Sequence, residues 1–161
     1  MNYRSDTMNR FETLLNESEN KNLLIIEKDF KSNAKGLCKV NKIGLSTNIE
    51  TTKEKTCILA EEVGHYETTV GDILNQRIAE NRKQEFQARM YAYNKLIGLQ
   101  GIIDCYEYGC NNVHEMAEYL EVTERFVIDA LEAYEKKYGI QTKYKYYIVR
   151  FNPNLVVMKV I

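Results

Sequence analysis

The sequence predicts an α+β fold, and three observations support that prediction. Short apolar runs bounded by turn residues lie before residue 50, helical patterns follow as far as Gly139, and the last twenty residues become β-rich. We predict three segments: a core with a small β-sheet over residues 1–110, a helix-turn-helix segment over 111–139 that packs on the core, and a C-terminal β-hairpin over 140–161.

The first elements are predicted from their apolar residues and turns. A helix is expected from Asp6 to Glu19, and a buried strand from Leu23 to Ile26. Gly36 to Leu45 is typical of a β-hairpin whose bend lies at Asn41-Lys42.

Three helices are expected next. Thr51 or Thr52 can cap the first helix, which should end soon after Tyr66 because Thr68, Thr69 and Gly71 follow. A long helix is expected from about Ala79 to Leu96. A shorter one is expected from Gly101 to Tyr108, where Gly109 stops it.

The remaining pattern predicts two more helices and two strands. His114–Leu120 and Thr123–Tyr138 have helix-turn-helix spacing, with Gly139 as the C-cap. Tyr144–Phe151 and Leu155–Ile161 are predicted as strands joined by a turn at Pro153.

Composition indicates an ordinary soluble protein. The chain has 161 residues, 44% of them hydrophobic and 28% charged, and a formal net charge of -1, which argues against a dedicated nucleic-acid binder. The polar start has no apolar signal-peptide core, and no run approaches the ~18 apolar residues of a membrane span. The four cysteines form no CxxC pair, so we expect a cytoplasmic protein with reduced thiols.

The most informative motif is Glu61-Glu62-Val63-Gly64-His65. Zinc proteases carry His-Glu-x-x-His on a helix, where the two His lie one turn apart on one face and the Glu is the general base. Here His65 and Glu62 match that pattern, and Glu61 replaces the first His. Gly64 costs about 1 kcal/mol relative to alanine inside a helix, and such a glycine is tolerated where another backbone must come close.

The stretch from Thr56 to Asp72 resembles the ImmA/IrrE family of metallo-endopeptidases, and the resemblance covers most of the chain after Gly36. It implies a zincin-like (gluzincin-type) core. In that family the third metal ligand is a Glu in an E-x-x-A pattern followed by an aromatic-Ala pair. Glu85-Phe86-Gln87-Ala88 and Tyr91-Ala92 match it, so the resemblance implies that Glu85 is the third ligand. Ala88 and Ala92 also form a small-residue stripe that lets two helices approach closely.

The expected metal ligands are therefore Glu61, His65 and Glu85. Zn²⁺ accepts such a set, but a site with one imidazole and two carboxylates shifts preference toward Mn²⁺ or Fe²⁺. Glu62 is the expected catalytic residue, taking a proton from the water that attacks a peptide carbonyl. Because two anionic ligands withdraw less charge from that water than imidazoles would, we expect activity to move to higher pH.

The resemblance also implies a partner. ImmA/IrrE peptidases cleave helix-turn-helix repressors encoded with them, and this cleavage derepresses a phage or mobile genetic element. The alternative is a catalytically inactive zincin-fold regulator that binds a repressor or another protein without cleaving it.

Direct DNA binding is the least favoured function. A DNA-reading helix-turn-helix needs basic residues around its second helix, whereas here the expected surface is mainly acidic. That surface includes Glu118, Glu121, Glu124 and Glu132. We interpret the segment as a buttress or a protein-docking surface.

Other candidate residues favour structural interpretations. His114 is expected to be an exposed helix-start residue, and Cys57 a buried small residue that could alternatively point toward the site. Cys105 and Cys110 are expected in the core. Asp72 could cap the next segment or orient His65, with capping preferred.

Overall fold

The computed structural model describes residues 7–69 and 78–160 of the chain. These residues form six helices and six strands in an α+β arrangement. In chain order they are α1 (Arg10–Asn20), β1 (Leu24–Lys28), β2 (Gly36–Lys39), β3 (Lys42–Ser46), α2 (Thr52–Thr69), α3 (Ile78–Leu96), α4 (Gly98–Tyr108), α5 (Val113–Leu120), α6 (Glu124–Tyr138), β4 (Gln141–Tyr144), β5 (Tyr147–Arg150) and β6 (Val156–Lys159).

The first sheet has the strand order β1-β3-β2. β1 runs parallel to β3, and β2 pairs with β3 as the predicted antiparallel hairpin. The prediction that the first strand is buried was wrong, since Leu24 is 51% exposed and Ile26 40% exposed. β1 lies at the sheet edge, and its partly buried Ile25 packs against the core.

Helix α2 begins where predicted. The Thr51 hydroxyl accepts a hydrogen bond from the Glu54 backbone N–H at 3.1 Å, which caps the first turn. The helix was predicted to end soon after Tyr66, and it is described as far as Thr69, three residues later. Thr68 donates its hydroxyl hydrogen to the Gly64 carbonyl at 2.8 Å, a local bond that lets a threonine remain helical.

Helices α2 and α3 approach each other closely at a glycine. A Cβ atom built on Gly64 would lie 2.3 Å from the Ala88 carbonyl oxygen, so only hydrogen fits there. Ala88 and Ala92 are fully buried. The predicted role of Gly64 and of the alanine stripe in close helix packing is thus confirmed, and His65 of α2 and Glu85 of α3 come near each other beside this contact.

Capping residues set the bounds of the later helices. Helix α4 starts at Gly98, three residues before the predicted Gly101. Gly98 has φ +62°, and its N–H donates a hydrogen bond to the hydroxyl of Tyr134 at 3.0 Å. Gly109 ends α4 in the left-handed conformation, as predicted. The Thr123 side chain caps α6, and Gly139 follows it with φ 80°.

The C-terminal segment is a three-stranded antiparallel sheet of order β4-β5-β6, and not the predicted two-stranded hairpin. Lys145, at φ 52°, makes a turn with Tyr146 inside the stretch predicted as one strand. Lysine rarely adopts that conformation, so the sequence carried no ordinary turn signal there.

A continuous hydrophobic core joins the three predicted segments. Its buried members include Leu59 of α2, Val127 and Tyr134 of α6, and Val149 of β5. The division into segments at residues 110 and 139 stays a prediction.

Candidate metal and peptidase site

The candidate site lies where α2 crosses α3. Glu61, Glu62 and His65 come from α2, and Glu85 comes from α3. The Nε2 atom of His65 lies 3.4 Å from Oε2 of Glu85. The structure thus brings together two residues that are 20 positions apart, which the close Gly64–Ala88 contact makes possible.

Glu85 has a second partner on its own helix. Its Oε1 atom accepts a hydrogen bond from Nε of Arg89 at 3.0 Å. The two oxygens of the carboxylate therefore face different groups, one an arginine and the other the imidazole of His65.

The charges of Glu85 and Arg89 also act on Glu61. Partial burial raises the pKa of Glu61, the Arg89 charge lowers it, and the charges of Glu85 and Asp129 raise it again. A nearby cation would stabilise the ionised form of Glu61, which is what a metal ligand at this position requires.

Glu62 lies against the strand β2. A Cβ atom built on Gly36 would lie 2.6 Å from Oε1 of Glu62, so the glycine leaves room for the carboxylate. Burial is the main cause that raises the pKa of Glu62 to about 7; the charges of Glu61 and Glu85 also act to raise it, and a hydrogen bond from the Cys38 backbone acts to lower it. A carboxyl with a pKa near neutrality is suited to general base chemistry.

His65 and Glu85 fit a metal ion by donor chemistry and spacing. Two ligand atoms at 2.0–2.2 Å from a tetrahedral zinc ion are separated by about 3.4 Å, and the His65–Glu85 atoms match that spacing. Among residues 7–69 and 78–160, the side chains do not form a group of three or more such donors positioned for a metal ion. Glu61 would therefore need to move to complete the predicted set.

Four other candidate residues lie outside the site, and the contacts or burial of each favour a structural role. Cys57 is buried with its Sγ 3.9 Å from Oγ1 of Thr123, so it faces the start of α6. His114 is exposed at the start of α5, with its Nδ1 2.8 Å from Oε1 of Glu124. Cys105 is buried, as expected, whereas Cys110 is only partly buried. Asp72 lies outside the described residues.

Arg89 and Gly36 are site features that sequence reasoning missed. Arg89 follows Glu85 by four residues, a spacing that predicts an ion pair on a helix and could have been noticed. Gly36 could not have been found this way, because its contact with Glu62 depends on how the sheet packs on α2.

A cavity of about 390 Å³ lies away from this site, beside α1 and the end of α3. Its lining includes Arg10 and Lys95, both already engaged: Arg10 donates to the Leu96 carbonyl and Lys95 pairs with Glu17. None of the four candidate site residues lines it.

Comparison with protein-family models, curated proteins and solved structures gave no match to this chain. The described residues contain no helix that is long and apolar enough to cross a membrane. The resemblance to the ImmA/IrrE family stays a prediction that rests on the motif residues.

Proposed function

We propose that this chain is a metal-dependent endopeptidase with a zincin-like core. Glu61, His65 and Glu85 would hold Zn²⁺, or alternatively Mn²⁺ or Fe²⁺, and Glu62 would be the general base. The observation that carries the proposal is the 3.4 Å separation between His65 Nε2 and Glu85 Oε2, from two helices that Gly64 allows to touch.

The bound metal would supply a Lewis acid that polarises the peptide carbonyl. Glu62 would accept a proton from the attacking water and later deliver it to the leaving nitrogen. The near-neutral pKa of Glu62 suits both steps.

Strand β2 offers a surface on which a peptide can lie. It is an edge strand of the described sheet, and its Gly36 and Cys38 lie beside Glu62. An extended peptide pairing with such an edge would pass the base, and main-chain hydrogen bonds would hold it.

The proposed substrate is a cytoplasmic helix-turn-helix repressor, whose cleavage would derepress a phage or mobile genetic element. The family resemblance supports this choice of substrate. The acidic groups of α5 and α6 support a protein partner over DNA, since Glu118, Glu121, Glu124 and Glu132 are exposed there.

The test is cleavage of a repressor encoded next to this gene. The purified chain is incubated with the repressor and one equivalent of Zn²⁺ or Mn²⁺, beside Glu62→Gln and a matched control, Glu19→Gln, which changes an exposed carboxylate on α1, outside the acidic surface of α5 and α6. We expect fragments from the wild type and from Glu19→Gln, and a loss of about 10²-fold or more in rate for Glu62→Gln. Equal cleavage by all three proteins would remove Glu62 from the mechanism.

A non-catalytic regulator with the same fold is the second candidate. The observation that favours it is that Glu85 already has two partners within the chain, Arg89 and His65. This function predicts stable binding of an intact repressor by both the wild type and Glu62→Gln.

A further inference from the structure

The two oxygens of the Glu85 carboxylate have separate partners. Oε1 lies 3.0 Å from Nε of Arg89, one turn later on α3, and Oε2 lies 3.4 Å from Nε2 of His65 on α2. A carboxylate can rotate about its terminal bond, so a partner on one oxygen determines where the other points.

We propose that Arg89 is a positioning residue of the metal centre, which holds Oε1 of Glu85 so that Oε2 faces His65 and the ion. This inference rests on the proposed function. It adds that Glu85 binds the metal through one oxygen, and that the orientation of that oxygen is set by a residue that does not touch the metal.

Arg89 has two opposing effects on a bound cation. Its positive charge repels the cation, which would weaken metal binding. Its hydrogen bond restricts Glu85 to one orientation, which would strengthen it. The Arg89 side chain is 53% exposed, so water and salt screen its charge, while the hydrogen bond keeps its directional effect. Partners that orient a metal ligand typically contribute 10–100-fold in affinity, so positioning should dominate.

The chain provides a matched control on α6. Arg125 and Asp129 form an i, i+4 pair in the reverse order, with Nε of Arg125 3.2 Å from Oδ2 of Asp129 and its Nη2 2.8 Å from Oδ1. Arg125→Ala removes an arginine–carboxylate pair from a helix that carries none of the proposed ligands. The Asp129 charge acts on Glu61, so freeing it should favour a bound cation, the opposite of the loss expected for Arg89→Ala.

The test measures Zn²⁺ affinity of the full chain by competition with a chromogenic chelator. We expect Arg89→Ala to raise the Kd about tenfold or more, Arg89→Lys to recover part of the loss, and Arg125→Ala to bind Zn²⁺ at least as tightly as the wild type. The visible absorption of the Co²⁺-loaded chain, which reports coordination number, should change in Arg89→Ala and not in Arg125→Ala.

An unchanged or lower Kd in Arg89→Ala, with normal binding by the wild type, would overturn the role of Arg89 and leave the metal centre standing. An equal loss in Arg125→Ala would show a general effect of removing helix ion pairs and would also overturn it. Failure of the wild type to bind metal would overturn the proposed centre itself, and the role of Arg89 with it.

Discussion

Nε2 of His65 and Oε2 of Glu85 face each other at 3.4 Å across the α2–α3 crossing. The pair depends on a close backbone contact at Gly64, the residue before His65. The Ala88 carbonyl lies so near Gly64 that a Cβ atom would not fit between the two helices. Helix packing and the geometry of the proposed metal centre are therefore linked at one point in the chain.

Replacing Gly64 with alanine should destabilise the protein despite the better helix propensity of alanine. The new Cβ would lie 2.3 Å from the Ala88 carbonyl oxygen, so the helices must separate. We expect a loss of roughly 1–3 kcal/mol in the free energy of unfolding, as for other overpacked sites, measured by chemical denaturation.

The control for that variant is Gly101→Ala in α4. Its new Cβ would come no closer than 3.3 Å to the end of the Leu120 side chain, which can adjust. This variant should be close to neutral, and similar losses in both variants would contradict the Gly64 contact.

The raised pKa of Glu62 predicts that the difference in stability between the wild type and Glu62→Gln depends on pH. A carboxyl with an ordinary pKa of 4.5 in the unfolded chain and about 7 in the folded one binds more protons when folded. Its contribution to stability is therefore complete below pH 4.5 and falls as the pH rises through 7. Without metal, Glu62→Gln should be more stable than the wild type by about 2–3 kcal/mol at pH 8.

The same advantage should shrink to below about 1 kcal/mol at pH 5, where Glu62 is protonated in the fold but still largely ionised in the unfolded chain. Urea denaturation at the two pH values, with chelator present, measures it. A stability difference that is the same at pH 5 and pH 8 would show that Glu62 does not titrate as described.

Changing Glu61 to histidine should alter which metal is preferred. The variant would offer two imidazoles and one carboxylate, and imidazole donors favour zinc over manganese relative to carboxylates. We expect the ratio of Zn²⁺ to Mn²⁺ affinity to rise roughly tenfold, measured by competition titration. No change in the ratio would mean that residue 61 is not a ligand.

Tyr134→Phe should weaken the junction between α3 and α4. The Tyr134 hydroxyl accepts the Gly98 N–H at 3.0 Å, and phenylalanine cannot replace that acceptor. We expect a loss of about 1 kcal/mol or more in thermal or chemical unfolding. Tyr138→Phe is the control, since the Tyr138 hydroxyl shows no hydrogen bond within the described residues. An equal loss of stability in Tyr138→Phe would mean that the loss in Tyr134→Phe does not come from the hydrogen bond to Gly98.

The sequence predicted the end of α4 and both ends of α6 because their signals are local. Thr123, Gly109 and Gly139 act through neighbouring backbone groups, and each of them bounds a helix. The predicted starts of α1 at Asp6 and of α4 at Gly101 were wrong, since these helices begin at Arg10 and Gly98. The turn at Lys145 could not be predicted, because a lysine with positive φ depends on the strands that flank it.

In the candidate site too, the features set by local sequence could be predicted, and those set by contacts between distant elements could not. The positions of Glu61, Glu62 and His65 on one helix follow from spacing within a single element, and the Ala88–Ala92 stripe indicated a close second helix. The contacts of Glu62 with Gly36 and of Glu85 with His65 join distant elements, so their geometry required the fold.

The most direct test of the metal centre is the metal content of the chain purified without chelator, measured by mass spectrometry beside Glu85→Ala and Glu132→Ala. We predict about one transition-metal ion per chain in the wild type and in Glu132→Ala, and a large loss in Glu85→Ala. A wild type without metal, or equal metal in Glu85→Ala, would contradict the proposed centre.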